Sequence, residues 1–118
     1  MGYRLHSAIK YEVSYGSDAY FNMESNYINR IIECLAEDTF WCNDSECHEN
    51  ADEIEADRAT LLKNLPNILT PNHDWECQEY LYQLLKEMEV DREYLYQGLK
   101  TLIENSDQNN SFVRFSWF

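Results

Sequence analysis

Two hydrophobic rhythms divide this chain, and their order limits the folds open to it. From residue 3 to residue 15 apolar and aromatic positions alternate: Tyr3, Leu5, Ser7, Ile9, Tyr11, Val13 and Tyr15 fall on one side. Arg4, His6, Ala8, Lys10, Glu12 and Ser14 fall on the other. That alternation predicts a strand with one buried face. Gly16-Ser17-Asp18 reads as a turn after it, with Ala19-Tyr20-Phe21 pairing back briefly. The same alternation returns at the other end, where Val113, Phe115 and Trp117 are separated by Arg114 and Ser116. An aromatic strand there is best buried by pairing with the first one.

Between the two ends the rhythm is helical. Ile28, Ile31, Ile32 and Leu35 form one stripe, with Asn22 or Ser25 available to cap it. Thr39-Phe40-Trp41-Cys42 reads as a short extended piece, and residues 43–53 as a polar, acidic loop. Asp57 is placed to cap a second helix that buries Leu61, Leu62 and Leu65 and stops before Pro66. A third helix spans about 74–88, with Cys77, Leu81, Leu84 and Met88 on one seam. Asp91 caps a fourth, whose Leu95, Leu99, Leu102 and Ile103 face inward, and 105–110 is a turn-rich loop. Ile54-Glu55-Ala56-Asp57-Arg58 echoes Met88-Glu89-Val90-Asp91-Arg92, a likeness that any two capped amphipathic helices share. The expectation is an α+β fold: a small antiparallel sheet, N-terminal strand paired with C-terminal strand, covered by about four helices.

With 118 residues, 44% of them hydrophobic and 14% aromatic, the chain suits one domain over 1–118 and is too apolar for disorder. No apolar run approaches the ~20 residues of a membrane span. The opening residues lack the apolar core of a secretory signal, so a cytoplasmic location is expected and the four cysteines are expected as reduced thiols.

Charge is the most uneven property. The net charge is −13, which argues against direct nucleic-acid binding and against an anionic membrane surface. Between Arg30 and Arg58 there is no lysine or arginine, yet Glu33, Glu37, Asp38, Asp44, Glu46, Glu49, Asp52, Glu53, Glu55 and Asp57 all occur. Such a run is a solvated face, a lure for a protein partner with a basic surface, or an imitation of duplex DNA that inhibits a DNA-binding protein. A calcium-loop register beginning at Asp44 fails at Glu49, where the loop requires glycine.

Cys42, Cys47, His73 and Cys77 have spacing that zinc accepts, although the tight C-x2-C knuckle is missing. Zinc is therefore the one cofactor to test, as part of a zinc-stabilised binding domain; otherwise none is expected. Phosphate loops, nucleophile elbows and metalloprotease motifs are missing, so no catalytic residue is assigned. Tyr80 and Tyr82 flank Leu81, and Tyr94 and Tyr96 flank Leu95, so burying the leucines leaves rings at the helix flanks. Together with Trp41 and Trp75 they suit a protein-binding face. A non-enzymatic, acidic interaction module is the resulting expectation, its contacts drawn from these tyrosines and from the acidic run.

Overall fold

The alternating segment at the start of the chain folds back on itself. In the computed structural model, which describes residues 5–10, 14–19, 25–44, 46 and 50–117, it supplies two antiparallel strands, β1 (Leu5–Lys10) and β2 (Ser14–Ala19). Gly16-Ser17-Asp18 is therefore inside a strand, a correction to its reading as a turn. The register explains why: Ser7 faces Ser17 and Ala8 faces Tyr15, which leaves Gly16 as the extra residue of a bulge. A residue without a side chain is well accepted at a bulge. The proposed caps and pairings at Asn22, Tyr20 and Phe21 lie outside the described residues.

Next come α1 (Ser25–Ala36), a 3-10 turn (Glu37–Thr39), and the two-residue strand β3 (Trp41–Cys42). β4 follows at Glu53–Asp57 and runs directly into α2 (Arg58–Asn64). β4 corrects the sequence reading, which ended its loop at 53 and saw only a helix cap beyond. Ile54 and Ala56 point inward while Glu53, Glu55 and Asp57 stay partly exposed, a strand pattern disguised by its acids. A 3-10 turn (Leu65–Ile68), α3 (Gln78–Met88), α4 (Arg92–Glu104) and β5 (Phe112–Trp117) complete the chain.

The sheet has five strands in the order β2-β1-β5-β4-β3, all neighbours antiparallel. β1 and β5 pair as the alternating ends predicted, with Leu5 opposite Trp117 and Ser7 opposite Phe115. Leu5, Cys42, Ile54, Ala56, Val113, Phe115 and Trp117 occupy inward positions and are buried with the inner faces of all four helices. Most positions of the predicted helical stripes are buried: Ile28, Ile31, Ile32 and Leu35; Leu81 and Leu84; Leu95, Leu99, Leu102 and Ile103. Each such side chain contributes about 1.5–3 kcal/mol on burial. The third helix starts at Gln78 rather than near 74, so Cys77 stands before it, and Met88 at its end is only half-buried. Leu62 is the exposed exception, at 44%, because Leu61 takes the inner position of α2 and Leu65 that of the turn after it.

Asp57 caps α2 as expected, its carboxylate accepting from the Thr60 amide at 3.0 Å and the Thr60 hydroxyl at 2.7 Å. Asp91 does the same for α4 through the Glu93 amide. The echo between 54–58 and 88–92 ends there: the first copy is a strand entering a helix, the second a helix closing and another opening. Arg58 then reaches across the fold. Its guanidinium donates to the carbonyls of Ile103, Asp107 and Asn110 and to the Ser106 hydroxyl, pinning the loop before β5 to the start of α2. Burial lowers the pKa of that guanidinium.

Candidate interaction surface

A proline-ended turn and a run of polar residues separate Ile68 from α3, and the chain there is held by one buried side chain. Gln78, at the first position of α3, accepts from the Asn72 amide at 2.8 Å and donates to the Asn67 carbonyl at 3.2 Å. Asn72 in turn accepts from the Asp74 amide through its side chain and from the Trp75 amide through its carbonyl. Residues 72–78 are thus tied as a short coil that sets Trp75 half-buried against the core.

Trp75 divides an open trench. On one side a groove of about 520 Å³ is lined by Glu37, Asp38, Asp74, Trp75, Glu76 and Cys77. On the other a groove of about 430 Å³ runs past His73, Trp75, Glu76, Gln78, Glu79 and Tyr82. Along α3 the trench continues over Tyr82 and Leu85 toward Lys86 and Arg92. Rings and carboxylates therefore line the Trp75 half, and the cations sit at the far end.

Glu37 anchors this arrangement. Its carboxylate accepts from the Asn64 side chain at 2.7 Å and from the Trp75 indole at 3.3 Å, with the Lys63 ammonium at 3.5 Å. Asn64 is buried and also donates to the Leu35 carbonyl, so its amide joins α2 to α1, and the Trp75 coil joins them through the Glu37 carboxylate. The Asn64 hydrogen bond, more than the nearby ammonium, holds the Glu37 carboxyl below its usual range. Glu37 also has a positive φ of 57°, a left-handed conformation that a residue with a side chain adopts at a cost.

The remaining acids of the 33–57 run are dispersed rather than gathered. Glu53 and Glu55 clasp Arg114 on the outer face of the sheet, at 3.2 and 2.7 Å. Asp57 caps α2. Asp44 accepts from the Glu46 amide, and the Asp52 carbonyl accepts from the Trp117 amide. Glu33 is partly buried on α1, Asp38 and Glu46 are exposed, and Glu49 lies outside the described residues.

The tyrosines split as their flanking positions require. Tyr80 and Tyr94 are 44% and 42% exposed, while Tyr82 and Tyr96 pack partly against the core. Four rings carry cations from the protein itself: Arg30 lies over Tyr27 and Tyr80, Arg92 over Tyr82 at 4.3 Å, and Lys100 over Tyr96. Arg30 also donates twice to the Tyr80 hydroxyl, at 3.1 and 3.0 Å. Trp41 is 49% exposed on β3, away from the trench lining.

Cys42 is buried on β3 and donates to the Asp44 carbonyl, His73 is exposed beside the trench, and Cys77 stands just before α3. Cys47 lies outside the described residues. Among the described residues no group of three or more His, Cys, Asp or Glu side chains is placed to hold a metal ion. Cys77 couples instead to Cys34 of α1. Burial, reinforced by Cys77 and Glu33, pushes the Cys34 thiol up to about 12, and burial with Glu76 and Glu37 raises Cys77.

Asp74, Glu76 and Glu79 are the trench carboxylates that the sequence reading missed. Their signal was present in Asp74-Trp75-Glu76-Cys77-Gln78-Glu79, where acids bracket an aromatic just outside the longer acidic run. Among the described residues no helix is long and apolar enough to cross a membrane. Comparison with protein-family models, curated proteins and solved structures finds no match.

Proposed function

We infer that this protein is a non-enzymatic interaction module whose partner is a protein with a basic surface. The observation that carries the reading is the trench along α3, where half-buried rings alternate with carboxylates. Rings supply contact area at low entropic cost, and unbalanced carboxylates steer a basic partner and reject an acidic one. Catalysis gains no support from the thiols: Cys34 and Cys77 are held protonated, and the thiolate is the nucleophilic form.

Imitation of DNA is less well supported. It needs carboxylates in an array, and Glu53, Glu55 and Asp57 are committed to Arg114 and to a helix cap.

The test is capture from a native lysate of the source cells by the wild-type protein and by Glu79→Lys. Glu79 is exposed and lines the trench, so the variant keeps its circular dichroism spectrum while reversing a charge there. A partner that resists moderate salt and is lost by the variant supports the reading. A partner displaced by added duplex DNA instead favours mimicry, and equal capture by both proteins removes the α3 face from consideration.

A further inference from the structure

The rings on this side of the molecule differ in one respect. Tyr27, Tyr80, Tyr82 and Tyr96 each have a guanidinium or ammonium of the same chain over the face. Trp75 has none among the described residues, although an indole is the strongest cation acceptor of the aromatic side chains. It also lines two grooves, with Asp38, Asp74, Glu76 and Glu79 along them. Glu37 already holds the indole nitrogen, so the ring is fixed in place before anything binds. A ring fixed in advance loses little freedom on binding, which favours affinity.

We propose that Trp75 and the carboxylates beside it form a receptor for an arginine side chain carried on an extended segment of the partner. This rests on the interaction reading above and names the chemistry of the group recognised. Arginine fits better than lysine because its flat guanidinium can lie on the indole and reach carboxylates on either side with separate N–H donors. The protein makes the ring–guanidinium half of this contact internally, where Arg92 lies over Tyr82 at 4.3 Å. An extended segment fits because the trench is open and continues along α3. Lys86 and Arg92 at the far end then set polarity, favouring an acidic or carboxyl-terminal end of the segment there.

The experiment uses the intact protein and a fluorescein-labelled peptide that alternates arginine with glycine, followed by anisotropy at physiological salt. Binding is expected to shift the Trp75 indole N–H resonance. In Glu76→Gln/Glu79→Gln, which alters exposed residues only, affinity falls about tenfold as charge-assisted contacts are lost. Glu46→Gln/Glu104→Gln removes the same charge elsewhere and should change affinity by less than about twofold once salt screens distant charges. A lysine–glycine peptide should bind more weakly. Equal losses in the two variants mean that only the net charge attracts the peptide, and the proposal falls. It also falls if the peptide does not bind or the Trp75 resonance does not move. If it falls while Glu79→Lys still loses the lysate partner, the interaction reading survives without its arginine receptor.

Discussion

The indole nitrogen of Trp117 donates to the side-chain oxygen of Asn29 at 2.8 Å, joining the last strand to the first described helix across 88 residues of sequence. Asn29 has no exposure, and its amide nitrogen donates to the Ala51 carbonyl at 2.9 Å. One side chain thus satisfies groups on two other segments in a place that water does not reach. Asn29→Ala is expected to lower stability by about 2–4 kcal/mol, because the partners stay buried without it. Urea denaturation checks this; a midpoint within error of wild type would show that both groups find other partners.

Glu89 closes α3 in the left-handed conformation, φ 55°, with its amide donating to the Leu85 carbonyl. That position favours glycine, and a carboxylate at a helix C-terminus opposes the helix dipole. Glu89→Gly should therefore raise stability by about 1 kcal/mol, a gain readable as a higher melting temperature. A loss would mean that the glutamate makes a compensating contact.

The Cys34 thiol has a folded pKa near 12 against an ordinary value of 9.0. Folding therefore holds its proton more tightly than the unfolded chain does. That contribution is complete below about pH 9 and is lost as pH rises toward 12. The stability of the wild type should fall more steeply over this window than that of Cys34→Ala, as read by denaturant midpoints. Native Cys34 should also react slowly with a disulfide reagent at neutral pH and react freely in denaturant. Parallel pH profiles would refute the assignment.

Tyr82 packs its ring on the core under Arg92, but its hydroxyl is buried without a hydrogen-bond partner among the described residues. Tyr82→Phe should leave stability within about 0.5 kcal/mol of wild type or raise it, since it removes an unpaired buried polar group. Tyr82→Ala should cost about 2–3 kcal/mol by opening the core edge. Paired melting curves decide between these outcomes. The same packing makes alanine at Tyr82 or Tyr96 an ambiguous probe of association, and Tyr80 is tied to Arg30, whereas Glu79 is exposed on the trench itself.

Elements with a strong period and a cap were legible without coordinates. Ile28 to Leu35 on α1, the Asp57 and Asp91 caps and the β1–β5 pairing follow from local chemistry or from where an aromatic strand can be buried. β4 was not legible, because only Ile54 and Ala56 carry its inward pattern and acids surround them. Gly16 misled because the residue that suits a turn also suits a bulge. Of the rings singled out in the sequence only Trp75 and Tyr82 line the trench, and their assembly was not legible. Glu37 meets Trp75 from 38 residues away, through a conformation that no local rule assigns to glutamate.

The strand order has a consequence in time. β5 is the last strand in sequence, yet it lies in the middle of the sheet, with β1 on one side and β4 on the other. Until residues 112–117 have left the ribosome, β1–β2 and β3–β4 are separate hairpins, each with a bare edge facing a gap. Such edges recruit strands from other molecules. The unfinished chain is thus the most adhesive form of this protein, and completing β5 both joins the two halves and removes those edges.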